Sequence, residues 1–259
     1  MIFLEILWWL GWAYFAAWAA LPLLAVRVLG GGVGLIAWAV LAPWSALFGM
    51  AGLHRLLPRS DAGKFSLWAD RGSVRWALKG WAPSVYLTVF QPLFFQSLRF
   101  QQVAMWAFGA RLGRGALVTS RTIIREPHRV RVGPGSLIGE YAHLVCSYQP
   151  RPGILDVGDI VIGDAVLVGA YTQLGPGVRI GSGCVLEHAV RVGPHSTIGA
   201  ASRIGAGTAV YNRVRIGDHV TIGKGCLIPS GTVIGDGVCI PDGTMLTSPE
   251  ARPVAGQLA

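Results

Sequence analysis

Residues 162–246 read IGDAVLVGAYTQLGPGVRIGSGCVLEHAVRVGPHSTIGAASRIGAGTAVYNRVRIGDHVTIGKGCLIPSGTVIGDGVCIPDGTML. An aliphatic residue returns at every sixth position without a break: Ile162, Val168, Leu174, Ile180, Leu186, Val192, Ile198, Ile204, Val210, Ile216, Ile222, Ile228, Ile234, Ile240 and Leu246. Glycine usually follows it, and a small or β-branched residue stands four positions on, as at Val166, Thr172, Val178, Cys184, Val190 and Ser196. A period of six fits neither an amphipathic helix nor a two-sided strand. It is the mark of a parallel β-helix, in which coils stack and backbone hydrogen bonds run along the axis. The expected fold is an all-β left-handed parallel β-helix over residues 109–247, preceded by an α-helical membrane region.

The same frame extends towards the N-terminus through Val132, Ile138 and Leu144. Leu144 and Ile162 stand three whole hexads apart, although Pro150 and Asp156 break the pattern between them. Residues 148–157 (YQPRPGILDV) are therefore expected to form a loop thrown out of one coil. Leu112, Val118 and Ile124 repeat in a shifted phase, with a small excess of chain near Pro127.

Ahead of the coil the composition changes. Every Trp and Phe lies at or before Phe108, whereas 26 of the 36 glycines lie from Gly109 onward. A mean hydropathy of +0.50 with 14% charged residues indicates a membrane portion. Residues 2–26 are apolar except for Glu5, and residues 28–53 carry no charge. Each stretch is long enough to cross a hydrocarbon core of roughly 30 Å. Arg27 and the glycines 30–32 between them offer a turn, so residues 1–54 are expected to form a transmembrane helical hairpin. A cleaved signal peptide is disfavoured, because no basic segment precedes the first stretch and a second apolar one follows at once.

Residues 55–108 form a basic juxtamembrane and interfacial helical region. Arg55, Arg59, Lys64, Arg71, Arg75 and Lys79 stand there against Asp61 and Asp70. Cations beside a span place it on the cytoplasmic side of an inner membrane, with anionic lipid as the partner. Trp81, Tyr86, Phe90, Phe94, Phe95, Phe100 and Trp106, interleaved with prolines and glutamines, suit helices at the headgroup level. No nucleic-acid-binding signature is present, and no nucleic-acid partner is expected. Cys146, Cys184, Cys226 and Cys239 form no CxxC spacing; Cys184 and Cys226 occupy the small inward position and are expected to be reduced core thiols. Residues 248–259 are a tail.

The hexad pattern resembles the hexapeptide-repeat acyltransferase superfamily over about residues 107–246, and FGARLGRGALV at 108–118 is similar to the helix-to-coil junction of many members. The resemblance implies a prism with three hexads per coil, usually a homotrimer with active sites between subunits. It further implies acetyl-CoA, another acyl-CoA or an acyl carrier protein as donor, a histidine general base and no metal. A histidine suits that task because its pKa lies near the working pH.

Two histidines are candidates for that base. VLEHAVRVG at 185–193 resembles the VxEH(D/E)CxIG segment of bacterial sugar N-acetyltransferases and sialic-acid O-acetyltransferases, which points to His188. Ala189 replaces the usual acid, leaving Glu187 as the nearest carboxylate in sequence. Counting three hexads per coil places Pro152, His188 and Lys224 at one corner, where the loop and a lysine would bracket the histidine. AHL at 142–144 resembles the NAHIAH segment of the UDP-GlcNAc acyltransferases, which points to His143. Lys224 and Arg215 are the candidate cofactor-binding cations, and Glu187, Gln149 and Arg151 the candidate substrate contacts. His195 and His219 fall at turn positions and are expected to be structural; His128, in the basic insert, is a candidate contact to an anionic acceptor or headgroup. Together these readings predict a membrane-anchored acyltransferase acting on a hydroxyl or amine of a small-molecule or lipid-linked acceptor. The other reading is a non-catalytic trimeric scaffold.

Overall fold

A computed structural model describes residues 2–59, 61–67, 69–94, 98–119 and 121–246. The tail expected over 248–259 lies outside the described residues.

The hexads wind into a parallel β-helix whose three sheets hold seven, seven and six strands. Each strand is short and, along most of the coil, pairs in parallel with the strand three hexads away, as Val185–Leu186 does with Arg203–Ile204. The aliphatic positions point inward and form one continuous core from Val118 to Ile240. The position four further on is small because it sits inside a corner. Where it is hydroxylated, the side chain donates to a corner carbonyl of the next coil: Ser196 Oγ to Tyr211 O at 2.8 Å, and Thr208 Oγ1 to Gly223 O at 2.7 Å. Glycine after the aliphatic residue answers to close stacking. A Cβ on Gly169 would lie 2.5 Å from the carbonyl carbon of Glu187 in the next coil.

The shifted phase of the first coil is resolved by a slightly longer step, Arg111 pairing with Arg131, with a short turn at Pro127–Arg129 taking up the excess. The second irregularity is larger. Ile160–Ile162 pairs with Val130–Val132, five hexads back instead of three, so two extra hexads are inserted into one coil. The insert is an antiparallel hairpin of Ser147–Arg151 and Ile154–Val157. Because it is a whole number of hexads, the frame survives in sequence while the coil count does not. This corrects the corner expected to hold Pro152, His188 and Lys224. Backbone bonds link His188 to Gly207 and Lys224 to Gly243, and Ala206 to Gly225 between them, so His188 and Lys224 do share an edge. On the other side of His188, that edge continues to Ala170 and Glu140. Pro152 lies in the hairpin, away from it.

Ahead of the coil come α1 (Ile2–Ala20), α2 (Leu24–Leu29), α3 (Gly31–Leu56), α4 (Arg71–Phe94) and α5 (Leu98–Ala107). The chain reverses at Gly30, and α1 packs on α3 through Ser45 Oγ to Trp18 O at 2.8 Å and Tyr14 OH to Gly49 O at 3.1 Å. Two spans, Trp12–Leu29 and Gly31–Leu56, are long and apolar enough to cross a membrane, and Trp9, Val28, Ile36, Val40 and Phe48 are turned outward. Tyr86, Phe100 and Phe108 are buried with Leu47 and Met50 in a second core. Part of the aromatic set expected at the headgroup level is thus the packing face of α4 and α5 on α3. Trp106 stays exposed, with the Arg55 guanidinium 5.4 Å from its ring. The side chains of Phe90, Phe94 and Phe95 lie outside the described residues.

Lys79 reaches from α4 to the end of α3, donating to the carbonyls of His54 and Leu57 and so neutralising the negative end of that helix. The His128 ring lies 5.0 Å from that of His54, and both its nitrogens are buried without a hydrogen-bond partner among the described residues. His128 is therefore part of the helix–coil junction and not a contact to an acceptor. Burial above all, then the neighbouring His54 and Arg129, hold its pKa down at about 3. In the unfolded chain it titrates near 6.5. The unfolded state thus binds more protons between those values, and stability falls as pH drops through that window. The effect is about 1.4 kcal/mol for each pH unit once the unfolded group is protonated. Thermal denaturation of the detergent-solubilised chain should show a drop in Tm as pH falls below about 6.5, smaller in His128→Leu.

Candidate active site

The hairpin stands over one edge of the coil and is held there by a strand from the segment between α3 and α4. β1 (Gly63–Ser66) pairs antiparallel with β3 (Ile154–Val157), which pairs with β2 (Ser147–Arg151). The register sets Lys64, Asp156 and Tyr148 abreast. Side chains abreast in a sheet project from the same face, and all three line a cleft of about 610 Å³ between hairpin and coil. The other face of β3 carries Leu155 and Val157, which are buried. The hairpin base is tied down by Glu126, which accepts from Ser147 Oγ at 2.6 Å and from the Trp76 indole. Burial pushes the Glu126 carboxyl up against the pull of those two bonds. Arg129 adds an ion pair to Asp159 at 2.8 Å and a bond to Asp61 O at 2.9 Å.

On the coil side, the edge is a column of turn residues, Gly177, His195, Arg213 and Gly231, linked by bonds such as Arg213 N to Pro194 O. All four have positive φ. Glycine takes that conformation without cost, whereas a side chain there costs about 1 kcal/mol or more. The two middle coils carry side chains instead, and both line the cleft. His195 Nε2 lies 2.9 and 3.0 Å from the two Asp156 carboxylate oxygens. The Asp156 side chain is 1% exposed and that of His195 37%. The carboxylate can only accept, so Nε2 carries the proton and Nδ1 presents a lone pair. A Cβ on Gly177 would lie 2.4 Å from that Nδ1, so only glycine makes room there for the ring. Tyr148 closes the cleft beside Asp156, with its phenol pushed up by burial and by that carboxylate against the pull of Arg213. A second groove of about 310 Å³ continues from Tyr148, Pro194 and Asn212 across Gln173, Arg191 and Ala209 on the adjoining sheet.

A buried carboxylate that orients a part-exposed imidazole lining a cleft is an arrangement that suits a general base. Gly177→Ala should put a methyl group against Nδ1 and lower turnover about tenfold or more, at a cost in stability of about 1 kcal/mol or more from the left-handed backbone and the displaced ring, as read from initial rates beside thermal melts.

Of the sequence candidates, Arg151 lines this cleft and Gln149 sits exposed on the same hairpin strand. His188 lies on a different edge of the coil, in a turn after Glu187. Glu187 does not face it: the carboxylate takes the Arg203 guanidinium and the Ala206 N–H at 3.0 Å, bonds that hold its pKa below the usual range. Lys224 lies on the His188 edge, and Arg215 on the first sheet beside Thr197. His143 is half-buried on the third sheet between Ile123 and Gln173; burial, then Arg125, holds its pKa down. None of His188, His143, Lys224 and Arg215 lines the cleft. His195 itself had carried only a turn role in the sequence, because its partner Asp156 belongs to an insert whose path hexad counting does not give. Among the described residues no group of three metal-ligating side chains occurs.

Fold and edge geometry define a hexapeptide-repeat parallel β-helix with a roofed His–Asp cleft. Residues 157–253 match the family model described as the GMPPB C-terminal domain. Among solved structures, the acetyltransferase domain of PglB from Neisseria gonorrhoeae, in complex with acetyl coenzyme A, is similar at 22% identity over 60% of this chain and 64% of that one, with a TM-score of 0.39. AntD, an N-acyltransferase from Bacillus cereus in complex with dTDP and 3-hydroxybutyryl-CoA, is similar at 16% identity over 53% and 81%, with a TM-score of 0.44. A putative acetyltransferase from Bacillus cereus is similar at 17% over 52% and 71%, with a TM-score of 0.39. The chain thus spans less than two thirds of the PglB domain it matches. At these identities the likeness concerns the coil. No curated protein is significantly similar to the chain.

Proposed function

We propose that the protein is an acyltransferase that moves an acyl group, acetyl in the first instance, from a CoA thioester to a hydroxyl or amine, with His195 as general base and Asp156 as its positioning residue. The observation that carries this reading is the His195–Asp156 pair in the roofed cleft. His195 Nδ1 removes the proton from the acceptor as its oxygen or nitrogen attacks the thioester carbonyl. The tetrahedral intermediate collapses, the C–S bond breaks, and the imidazolium returns the proton to the departing thiolate. The narrow groove beyond Tyr148 suits an extended pantetheine arm; the cleft itself suits the acceptor.

The apolar hairpin α1–α3 and the basic segment after it support an anchor in the inner membrane with the coil on the cytoplasmic side. A homotrimer, as the hexapeptide-repeat resemblance implies, would leave this edge accessible or complete it from a neighbour. His188 remains the rival base through its segment's resemblance to sugar acetyltransferases, although it has no carboxylate partner among the described residues. Thioester turnover tests the reading. The purified full-length chain should release thiol from acetyl-CoA in the presence of amino- or hydroxy-sugar acceptors. A protein that binds no CoA and shows no thiol release with any acyl donor would be the scaffold instead.

A further inference from the structure

The cleft carries more charge than general-base catalysis requires. Lys64 from β1, Arg151 from β2 and Arg213 from the coil all line it. The only acid in the lining, among the described residues, is Asp156, whose carboxylate is committed to His195. None of the three cations has an ion pair among the described residues, although Asp61, Asp70 and Asp159 occur in the same region. Arg213 moreover holds its side chain in the cleft from a left-handed backbone, φ 57°, where the next coil has Gly231. The three come from separate parts of the chain: the segment after the apolar helices, the inserted hairpin and the coil edge. Like charges brought together without acids repel each other, and that arrangement persists most readily where an anion is to be bound. Three converging cations match the two neighbouring charges of a diphosphate better than a lone carboxylate.

We infer that Lys64, Arg151 and Arg213 form a phosphate subsite beside His195, and that the acceptor is a diphosphate ester whose phosphates dock there while its hydroxyl or amine reaches His195. This rests on the acyl-transfer reading for the role of His195 but not for the binding itself. The cations share the cleft with the base and therefore hold the molecule that surrenders its proton; the donor's phosphates would lie at the far end of a pantetheine arm. A diphosphate can be linked to a nucleoside or to a polyprenyl lipid. Lys64 follows closely on the end of α3 at Leu56, so the subsite is within reach of either.

Inorganic pyrophosphate is the probe, titrated calorimetrically into the full-length chain in detergent. Lys64→Ala, Arg151→Ala and Arg213→Gly should each weaken binding about threefold to fivefold, and the triple variant about 30-fold or more. Arg179→Ala, which removes the same charge from the first sheet, should leave the affinity unchanged. Binding should weaken as NaCl is raised. UDP and a polyprenyl diphosphate in nanodiscs, added as competitors, identify the source by whichever displaces pyrophosphate. No pyrophosphate binding, or equal affinity in wild type and triple variant, overturns the subsite. So does a triple variant that raises the KM for acetyl-CoA and not for the acceptor, since the cations would then hold the donor. Lost pyrophosphate binding in a protein without thioester turnover keeps the subsite and removes the acyltransferase reading. Turnover insensitive to the three cations does the reverse.

Discussion

His195→Ala lowers kcat by about 10²- to 10⁴-fold, the range lost with a general base, while the coil stays folded. The turn accepts the change because alanine already occupies the same left-handed conformation at Ala165, Ala189 and Ala201, and the cost of leaving the buried Asp156 carboxylate without His195 is read from thermal melts run beside the rates. Asp156→Asn should cost about 100-fold or more by a different route. The asparagine amide can donate to Nε2, which then holds its lone pair towards residue 156 and its proton on Nδ1. The ring keeps its place and faces the acceptor with the wrong tautomer. Steady-state rates on the two variants, beside His188→Ala and His143→Ala, decide which edge of the coil is catalytic. Near wild-type turnover in His195→Ala together with a collapse in His188→Ala would move the active site to the Lys224 edge.

How the sequence concealed this pair is a matter of arithmetic. The inward hexads announce the coil because burial selects the same residue type at each sixth position, and the phase is legible even across the insert. An insert of whole hexads, however, is invisible to a period of six. It advances the numbering by two hexads and adds no strand to the three coil sheets, so an edge column extrapolated backward from His188 passes Ala170 correctly and then arrives at Pro152 in the hairpin instead of at Glu140. The pair His195–Asp156 depends on where that hairpin folds back, and the fold-back is decided by β1, Glu126 and Arg129, three tertiary contacts with no local signature. One local signal was available. His195 and Arg213 are bulky residues at a turn position where Gly177 and Gly231 flank them, and such cost is most often borne at working sites. The same test is not decisive alone, since Tyr141, Tyr171 and His219 share the conformation elsewhere.

The largest loss of stability should come from the middle of the coil. Ile204 is fully buried, stacked between Leu186 and Ile222 in one sheet. Ile204→Ala deletes contacts to both neighbours and leaves a cavity that rigid coils cannot close, a cost of about 2–5 kcal/mol. Ile240 is the same residue type in the same sheet but has Ile222 on one side and the end of that sheet on the other. Its replacement should cost about half as much, because a solenoid's stability is a sum over neighbouring coils and a terminal coil has one interface fewer. Pulse proteolysis in urea reads the difference without depending on tryptophans, which the coil lacks. The location of the damage matters for function as well. Arg203–Ile204 starts the coil that leads to Asn212 and Arg213, so a cavity there loosens the floor of the cleft, whereas fraying at Ile240 begins beyond Gly231. Ile204→Ala should therefore lose turnover at temperatures where it is still folded, and Ile240→Ala should keep it. Equal losses of stability and activity in the two variants would mean that the coil unfolds as a single unit and not from its ends.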